Sequence, residues 1–487
     1  MNALVTHSKK AVALAAIVSL AACKPNPWNP NPKIDLEDHS ATPVLLKKLP
    51  GFEKLETYSL ISSDDVLPQS PKFVFGGSAD GAGLIKNPAG GYTYILNHED
   101  NFAVSRISFN NNFKPVKGEY ILNSTGGLWR LCSATMATQQ EHGFGPLYLT
   151  CGESGEESRI HAVSPLETSF NPSMSKELPA LGRWSSENAV PLSKHAFPGK
   201  TVIIIGDDDS GNEGGQLVMY VSNSVGDLTG GSVYVLRRKD KNIREKDMTT
   251  GNSYDVEFVK INDAATKTGR QLQEASVALQ SVKFGRVEDI DYRKGKYSYC
   301  SREIYFNVTG QNNSGANADF SRTKYGRTYK LVLDEKSPLK GKLEVILDGD
   351  NKKSIAAPFQ NPDNICVTEN YVYIQEDPNG YGDETHDSYL YQYNINTKEL
   401  KTVFELDHRR TAPDAAKYNV GGSSRYGSWE YGSLIDVSDV INVPNTFMLC
   451  IQPHTWRDAK YKGVDGGSLR PDEDQASQVV LVKGLPK

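Results

Sequence analysis

The chain has 487 residues, 38% hydrophobic residues, 9% aromatic residues and a formal net charge of −5. This length suffices for one large domain or two to three ordinary ones, and the apolar content excludes bulk disorder. No basic stripe is visible along the sequence, so nucleic acid is not an expected partner.

Residues 1–22 are predicted to be a lipoprotein signal peptide. Lys9 and Lys10 precede an apolar run that is too short to span a bilayer comfortably. The run ends in Leu20-Ala21-Ala22-Cys23, which resembles the bacterial lipobox, so Cys23 is the expected lipidation site. A plain secretory signal is the alternative. Because Lys24 rather than Asp follows the cysteine, the resemblance favours anchoring in the outer membrane of a Gram-negative cell envelope.

Residues 23–45 are predicted to form the lipidated cysteine and a tether, and residues 46–487 a single domain. The tether contains KPNPWNPNPKID, and proline at this density favours a stiff, extended chain. It would hold the domain away from a membrane surface. We expect a monomer.

Short strands are predicted from about residue 70 to the end of the chain. Runs rich in Val, Ile, Tyr, Phe and Thr alternate with Gly, Asn and Asp turns, as in GYTYILNHE, GPLYLTCGE, KTVIIIGDD, EIYFNVTG, YVYIQED and NTFMLCIQ. The best helix candidate is 264–279, in a possible insertion. This pattern and length predict an all-β protein, a β-propeller of six blades with inserted loops.

Acids recur where these strands end or turns begin. The motifs are Asn97-His98-Glu99-Asp100, Cys151-Gly152-Glu153, Ser185-Ser186-Glu187, Gly206-Asp207-Asp208-Asp209, Arg286-Val287-Glu288-Asp289, Asn361-Pro362-Asp363-Asn364, Glu376-Asp377 and Trp429-Glu430. Equivalent strand ends of a propeller meet around its central channel, and converging carboxylates need cations for their burial. Oxygen ligands suit calcium or magnesium, and a thiolate or imidazole widens the choice to iron. The Asp207–Asp209 run could equally be a polar turn.

The stretch 359–380 has acids on both sides of one strand. Asp363 precedes the strand and is predicted to face the channel, with Asn361 and Asn364 shaping the turn. Glu376 and Asp377 follow the strand, and we expect them at the opposite rim in a solvated turn.

Five cysteines remain after Cys23, an odd number, so at least one thiol is unpaired. Cys151, Cys366 and Cys450 lie in apolar runs, which indicates small buried side chains. Cys132 is either an inert buried thiol or a metal ligand.

The ordered motifs resemble those of the bacterial PhoX-type alkaline phosphatases. The match runs from about residue 70 to 460 and includes NHE, TCGE, GRWSSENA, IGDD, FGRVED, NPDNI, IQED and IQPH. The resemblance implies a six-bladed propeller with a calcium and iron cluster that hydrolyses phosphomonoesters.

The resemblance also implies roles for particular residues. Arg286 would contact phosphate, Cys132 would bridge irons, and Glu153 would be an acid close to the site. Arg286 and Glu288 are thus the expected catalytic residues, and the expected metal ligands are Glu99, Cys132, Glu153, Glu187, Glu288 and Asp363.

Two alternatives remain open. The stretch after Cys132, SATMATQQEHGFG, departs from the family pattern. A non-catalytic, calcium-stabilised surface propeller that binds a ligand or partner is therefore one alternative, and a calcium-dependent lactonase on the same scaffold is the other.

Overall fold

The computed structural model describes residues 34–296 and 299–487. The predicted signal peptide, Cys23 and residues 23–33 of the tether lie outside this part of the chain. Within it, no helix is both long enough and apolar enough to cross a membrane.

Antiparallel strands dominate the described residues, as the alternation of β-branched and aromatic runs with turns predicts. In chain order the strands are β1 Leu46–Lys48, β2 Glu56–Ser62, β3 Ala79–Lys86, β4 Tyr92–His98, β5 Ala103–Phe109, β6 Pro115–Leu122, β7 Leu131–Ala137, β8 Leu147–Gly152, β9 Ile160–Val163, β10 Ser186–Pro191, β11 Thr201–Asp207, β12 Leu217–Ser222, β13 Ser232–Arg238, β14 Ser253–Ile261, β15 Val287–Tyr292, β16 Glu303–Val308, β17 Arg327–Leu333, β18 Lys340–Asp348, β19 Pro362–Val367, β20 Tyr371–Glu376, β21 Tyr389–Asn394, β22 Leu400–Leu406, β23 Glu430–Asp436, β24 Thr446–Gln452 and β25 Gln478–Lys483.

Helices are short and lie between strands. The α-helices are α1 Ser124–Gly127, α2 Gly269–Ala278, α3 Ala415–Tyr418 and α4 Ser438–Ile441. Single 3₁₀ turns are Pro179–Leu181, Glu245–Asp247, Ala264–Thr266, Cys300–Arg302, Gly315–Asn317 and Ala459–Tyr461. The helix predicted over 264–279 is confirmed as α2, which begins after Thr268 because this residue and Gln271 form a capping box.

The strands form five hydrogen-bonded sheets among the described residues. One sheet has nine strands, in the order β10-β11-β12-β13-β14-β18-β17-β16-β15. Dividing it where β14 pairs with β18 leaves six blades, which begin with β3, β7, β10, β15, β19 and β23. These six innermost strands contact one another in that order, and β23 contacts β3. The predicted β-propeller is therefore confirmed, and the count of six depends on this division.

Strands from the two ends of the described chain complete the last two blades. The strand β2 pairs with the C-terminal strand β25, and β1 pairs with β22. This pairing covers edges that would otherwise expose backbone donors and acceptors.

The chain packs against the propeller before residue 46. Ile34 is buried in one apolar cluster and Leu45 in another, and the amide of His39 donates to the carbonyl of Ser59. The described part of the predicted tether, residues 34–45, is therefore held on the propeller surface.

Each innermost strand has a β-bulge near its start, where its pairing with the second strand shifts register. A bulge bends the strand and re-aims the side chains within it. In blade order, the two residues inside the bulges are Asp80-Gly81, Cys132-Ser133, Glu187-Asn188, Glu288-Asp289, Asp363-Asn364 and Gly432-Ser433. The first position is thus an acid or a cysteine in five blades.

Two glycines let the innermost strands approach closely on both sides of Asp80. A Cβ at Gly81 would lie 2.4 Å from the amide nitrogen of Ala134, and one at Gly432 would lie 2.3 Å from the carbonyl oxygen of Ala79. A side chain at either position would push neighbouring blades apart.

Candidate metal centre

A polar cavity of about 260 Å³ lies where the innermost strands begin. Its walls are Asp80, Glu99, Asp100, Arg130, Cys132, Glu153, Glu187, Arg286, Glu288, Asp363, Asp377, Glu430, Gln452 and His454. All seven residues that the sequence singled out for metal binding or catalysis are in this set. Their roles stay predictions.

Two positions that recur in several blades supply most of these side chains. One is the first bulge residue of the innermost strand, such as Asp80. The other is the residue that follows the second strand, such as Glu99 after His98. Because the strands are antiparallel, the end of the second returns to the start of the first, as the pairing of Ala79 with His98 records. Glu153, Asp208 and Asp377 follow β8, β11 and β20 in the same way.

Three groups of side chains in this cavity are compact enough to hold a metal ion. Within each group, one ligand atom per residue lies within 4.8 Å of the others. The groups are Asp80 with Glu99 and Cys132; Cys132 with Glu153 and Glu187; and Asp363 with Asp377 and Glu430. Cys132 is shared by the first two groups. Glu288 lines the same cavity, but it belongs to none of these three groups of described residues.

The cavity holds far more negative than positive groups. Its lining has nine carboxylates against the two arginines Arg130 and Arg286. Burial, and then repulsion by neighbouring carboxylates, raises the pKa of Glu187 and Asp80 well above the usual range. Cations would relieve this repulsion, which makes the donor set fit metal ions.

One carboxylate oxygen in particular lacks a partner. Oδ1 of Asp363 is buried and has no hydrogen bond among the described residues. The backbone carbonyl of Asp363, by contrast, accepts a 2.8 Å hydrogen bond from the side-chain amide of Asn307. A buried charged oxygen without a donor is costly, and a hard cation such as calcium satisfies it.

Cys132 lies between carboxylates. Its Sγ donates to Oε2 of Glu153 at 3.1 Å. Burial, and then the charges of Glu153 and Glu99, raises the pKa of the thiol well above its usual value. A bound cation would reverse this balance, because metal coordination deprotonates a thiol.

Arg286 spans the edge of the cavity with a full set of partners. Its Nε and Nη2 donate to the two carboxylate oxygens of Asp208 at 2.6 and 2.9 Å. Its Nη2 also lies 3.2 Å from Glu288, and its Nη1 donates to Asn379 at 2.5 Å. The backbone of Arg286 has a positive φ of 73°. This conformation is strained for a side chain of this size, and such strain clusters at functional sites.

Arg130 is the second arginine of the cavity, and it faces Glu99, which belongs to the ligand group of Asp80, Glu99 and Cys132. Nε of Arg130 lies 3.5 Å from Glu99, and Nη2 lies 3.2 Å from Asp100. Burial of Asp100 acts to raise its pKa, but Arg130 and neighbouring donors outweigh this and leave the pKa lowered. Asp100 therefore stays ionised beside Glu99, whose pKa is raised chiefly by burial.

The expected position of Glu376 and Asp377 was wrong. The end of β20 pairs with the start of β19, with Glu376 opposite Pro362, so Asp377 lies at the same channel end as Asp363. Glu376 is fully buried instead of solvated, and it accepts hydrogen bonds from the amides of Gln360 and Tyr389.

Sequence reasoning missed or left open several lining residues. Asp80, Arg130 and Asp377 were not predicted at the site, and the sequence assigned no role to Glu430, in the Trp429-Glu430 motif, or to His454, in the IQPH motif. Nε2 of His454 lies 2.9 Å from Glu430. Glu430 itself belongs to the ligand group that also contains Asp363 and Asp377. The bulge position that Asp80 shares with Glu187 and Glu288 is a repeat that could have revealed it.

The other four cysteines in the described part of the chain lie away from this cavity. Cys151, Cys300, Cys366 and Cys450 are free and buried, as is Cys132. Cys366 and Cys450 pack within apolar clusters, as their surroundings in the sequence predict.

No protein-family model matches the chain, and no curated protein matches it. Solved structures align over most of its length at about 10% identity. An α-L-arabinofuranosidase from Fusarium graminearum, at 10% identity, covers 87% of this chain and 98% of its own, with a TM-score of 0.38. A PQQ-bound aldose sugar dehydrogenase from Streptomyces coelicolor is 10% identical. The alignment covers 88% of this chain and 98% of the dehydrogenase, with a TM-score of 0.34. Regucalcin, a calcium-binding protein from Agrobacterium tumefaciens, is also 10% identical. The alignment covers 86% of this chain and 96% of regucalcin, with a TM-score of 0.33. Such low scores carry no argument about the site.

Proposed function

We propose that the protein is a metal-dependent phosphomonoesterase of the PhoX type. The observation that carries the proposal is the convergence of carboxylates, Cys132 and two arginines in one cavity at the channel end. Anionic ligands and cationic side chains in one site suit a phosphate that is held jointly by metal ions and arginine.

The three compact groups of side chains would hold the ions. The all-oxygen group of Asp363, Asp377 and Glu430 suits calcium. The two groups that share Cys132 could also hold iron or another transition metal, because a thiolate is a softer ligand. When bound, the ions would offset the charge that develops on the phosphoryl oxygens during hydrolysis.

Arg286 would bind the phosphate from the protein side. Its planar guanidinium can make two parallel hydrogen bonds to phosphoryl oxygens, which lysine cannot do. In the structure Asp208 occupies this two-point face. Substrate would therefore exchange the Asp208 contact for phosphate, while Glu288 and Asn379 keep the guanidinium in place.

We further propose that the protein acts in the cell envelope as an outer-membrane lipoprotein anchored through Cys23. This rests on the lipobox-like sequence, and it places the enzyme where organic phosphoesters from outside the cell would reach it. Its partners would be a small phosphoester and the membrane that holds the lipid. We expect the enzyme to be monomeric.

The test is hydrolysis of p-nitrophenyl phosphate by the purified mature chain. Protein stripped with a chelator should be inactive, and calcium, alone or with iron, should restore turnover. Turnover that survives complete removal of metal would contradict the proposal. A sugar lactone serves as the competing substrate, and faster opening of the lactone would favour the lactonase alternative.

One observation favours a second candidate, a non-catalytic propeller stabilised by calcium. Arg286 is fully engaged by Asp208, Glu288 and Asn379, so its charge is already balanced without phosphate. This candidate predicts that calcium raises the melting temperature while no phosphoester is hydrolysed under any metal condition.

A further inference from the structure

A second polar cavity, of about 570 Å³, adjoins the metal centre. Glu153 and Arg286 line both cavities, so the two share a wall at the guanidinium. A phosphate held at Arg286 would therefore have its ester oxygen within reach of this second cavity. We call it the outer groove, and its lining also includes Asp208, Asp209, Ser210, Gln311, Asn312, Ser314, Asn379 and Tyr381.

The walls of the outer groove are hydrogen-bonding groups held in place by the fold. Gln311 donates to the carbonyl of Ser210 and accepts from Arg322, each at 2.5 Å. Asn379 is fixed through its contact with Arg286. Preorganised amides of this kind bind ligand hydroxyls without first losing conformational freedom.

The hydroxyl of Tyr381 is the unused group in this wall. It is buried and meets no partner in hydrogen-bond geometry among the described residues. Burial raises the pKa of Tyr381, and the amide of Asn361 lies close enough to oppose this weakly. The neighbouring amide of Asn361 gives its two hydrogens to the carbonyls of Thr309 and Lys324, and its oxygen accepts from the backbone of Asn379. Buried polar groups are normally paired, so this hydroxyl points to a ligand as its missing partner.

Charge and polarity restrict the ligand. Asp208, Asp209 and Glu153 in the walls disfavour a second anionic group. Serine and amide side chains give a hydrocarbon or plain aryl group few apolar contacts. A neutral alcohol with many hydroxyls, such as a sugar or polyol, matches these donors and acceptors.

We propose that the outer groove binds the alcohol half of a sugar or polyol monophosphate, with Tyr381 as a specificity-determining residue. The inference rests on the proposed phosphomonoesterase activity and adds the class of substrate. The Tyr381 hydroxyl bonds a hydroxyl of the leaving alcohol, while Arg286 and the metal centre hold the phosphate.

The test compares kcat/KM for a hexose 6-phosphate and for p-nitrophenyl phosphate in the metal-loaded mature chain. Tyr381→Phe removes one hydroxyl and keeps the ring. It should lower kcat/KM for the hexose phosphate about fivefold, the effect of one neutral hydrogen bond, and change that for p-nitrophenyl phosphate less, because this substrate has no hydroxyl for Tyr381 to bond. Tyr426→Phe, at an exposed tyrosine outside the groove, is the matched control and should change neither value.

A second variant guards against a structural effect of the first. Asn312→Ala, at an exposed position of the groove, should also lower the ratio of the two kcat/KM values. Equal changes for both substrates in the two variants, or no change in either, would overturn the inference while leaving the phosphatase proposal intact. Wild-type protein that hydrolyses neither substrate would overturn the proposed function and the inference together.

Discussion

Two buried ionic regions of this propeller differ in how their charges are balanced. At the channel end, nine carboxylates meet two arginines. Within the fourth blade, a single arginine, Arg327, is 1% exposed and donates to Asp348 at 2.8 Å. Beside it, both oxygens of Glu245 accept hydrogen bonds, from the hydroxyl of Tyr329 and from the amides of Gly285 and Thr323.

The comparison separates burial from function. Glu245 and Glu187 are both buried, and burial raises the pKa of each. Glu245, however, has Arg327 and neutral donors around it, whereas Glu187 is surrounded by further carboxylates. A buried acid with balanced partners stabilises one arrangement of the fold, while a buried cluster with excess negative charge calls for ligands from outside.

The largest expected effect comes from the channel end. Glu288→Gln removes the carboxylate that lies 3.2 Å from Nη2 of Arg286, so the guanidinium is held less firmly for phosphate, and kcat for p-nitrophenyl phosphate should fall by about 100-fold or more. Metal content should stay near that of the wild type, because Glu288 belongs to none of the three compact groups of ligands. The melting temperature of the metal-free protein should not fall, because one source of repulsion is gone. Full activity in this variant would contradict the assignment of Glu288.

The balanced region should respond in the opposite way. Arg327→Met leaves Glu245 and Asp348 without their cation, and removing one partner of a buried pair costs about 3–5 kcal/mol. Chemical denaturation should show this loss in the free energy of unfolding. Activity per folded molecule should stay near that of the wild type, and a specific loss of kcat would contradict the distinction between the regions.

Cys132→Ser sharpens the comparison within the metal centre. The hydroxyl keeps the size of the side chain but is a poor ligand for iron. Elemental analysis should show any iron lost and calcium at the group of Asp363, Asp377 and Glu430 retained, with turnover reduced about tenfold or more. Unchanged iron content in this variant would remove Cys132 from the ligand set. Cys151→Ser, in a buried cluster elsewhere, is the control.

Calcium should stabilise the protein more as pH rises. The pKa values of Asp80 and Glu187 are raised, so between their usual range and the raised values the folded state binds more protons than the unfolded state. Stability of the metal-free protein therefore falls as pH increases through this window. The pKa values of His98, His142 and His161, lowered to about 4, act in the opposite direction, but only below pH 6.5.

The measurement is the shift in melting temperature on adding calcium, at pH 5.5, just above the usual range of these carboxyls, and at pH 8.5. Calcium competes with protons for the carboxylates, so the shift should be larger by a few degrees at the higher pH. In a protein of this size, each kcal/mol of added stabilisation raises the melting temperature by about 4 °C or less. A shift that is equal at both pH values would show that calcium does not bind the raised carboxylates.

The propeller and much of the site could be predicted from sequence because both depend on local patterns. The β-branched and aromatic runs predict strands, and an acid where a strand begins predicts Glu187, Glu288 and Asp363 at one place. Each of these residues lies at the first position of the bulge in its own innermost strand, so its place follows from the strand that contains it.

Other residues escaped prediction because their position depends on pairing between strands. Asp377 follows its strand in sequence, yet antiparallel pairing returns it to the start of the preceding strand. Asp80 lies in SADGAG, which reads as a turn because the glycines there serve close packing of neighbouring blades. The charge balance that separates Glu245 from Glu187 comes from residues far apart in sequence.

Elemental analysis of the purified mature chain, run beside an Asp363→Asn variant in the third group of ligands, tests the central claim most directly. The account predicts at least two metal ions for each wild-type chain, calcium among them, since three groups of ligands are present. It also predicts a lower content in the variant. A wild-type chain without bound metal, after purification in buffers that contain calcium, would contradict the claim that the channel end is a metal centre.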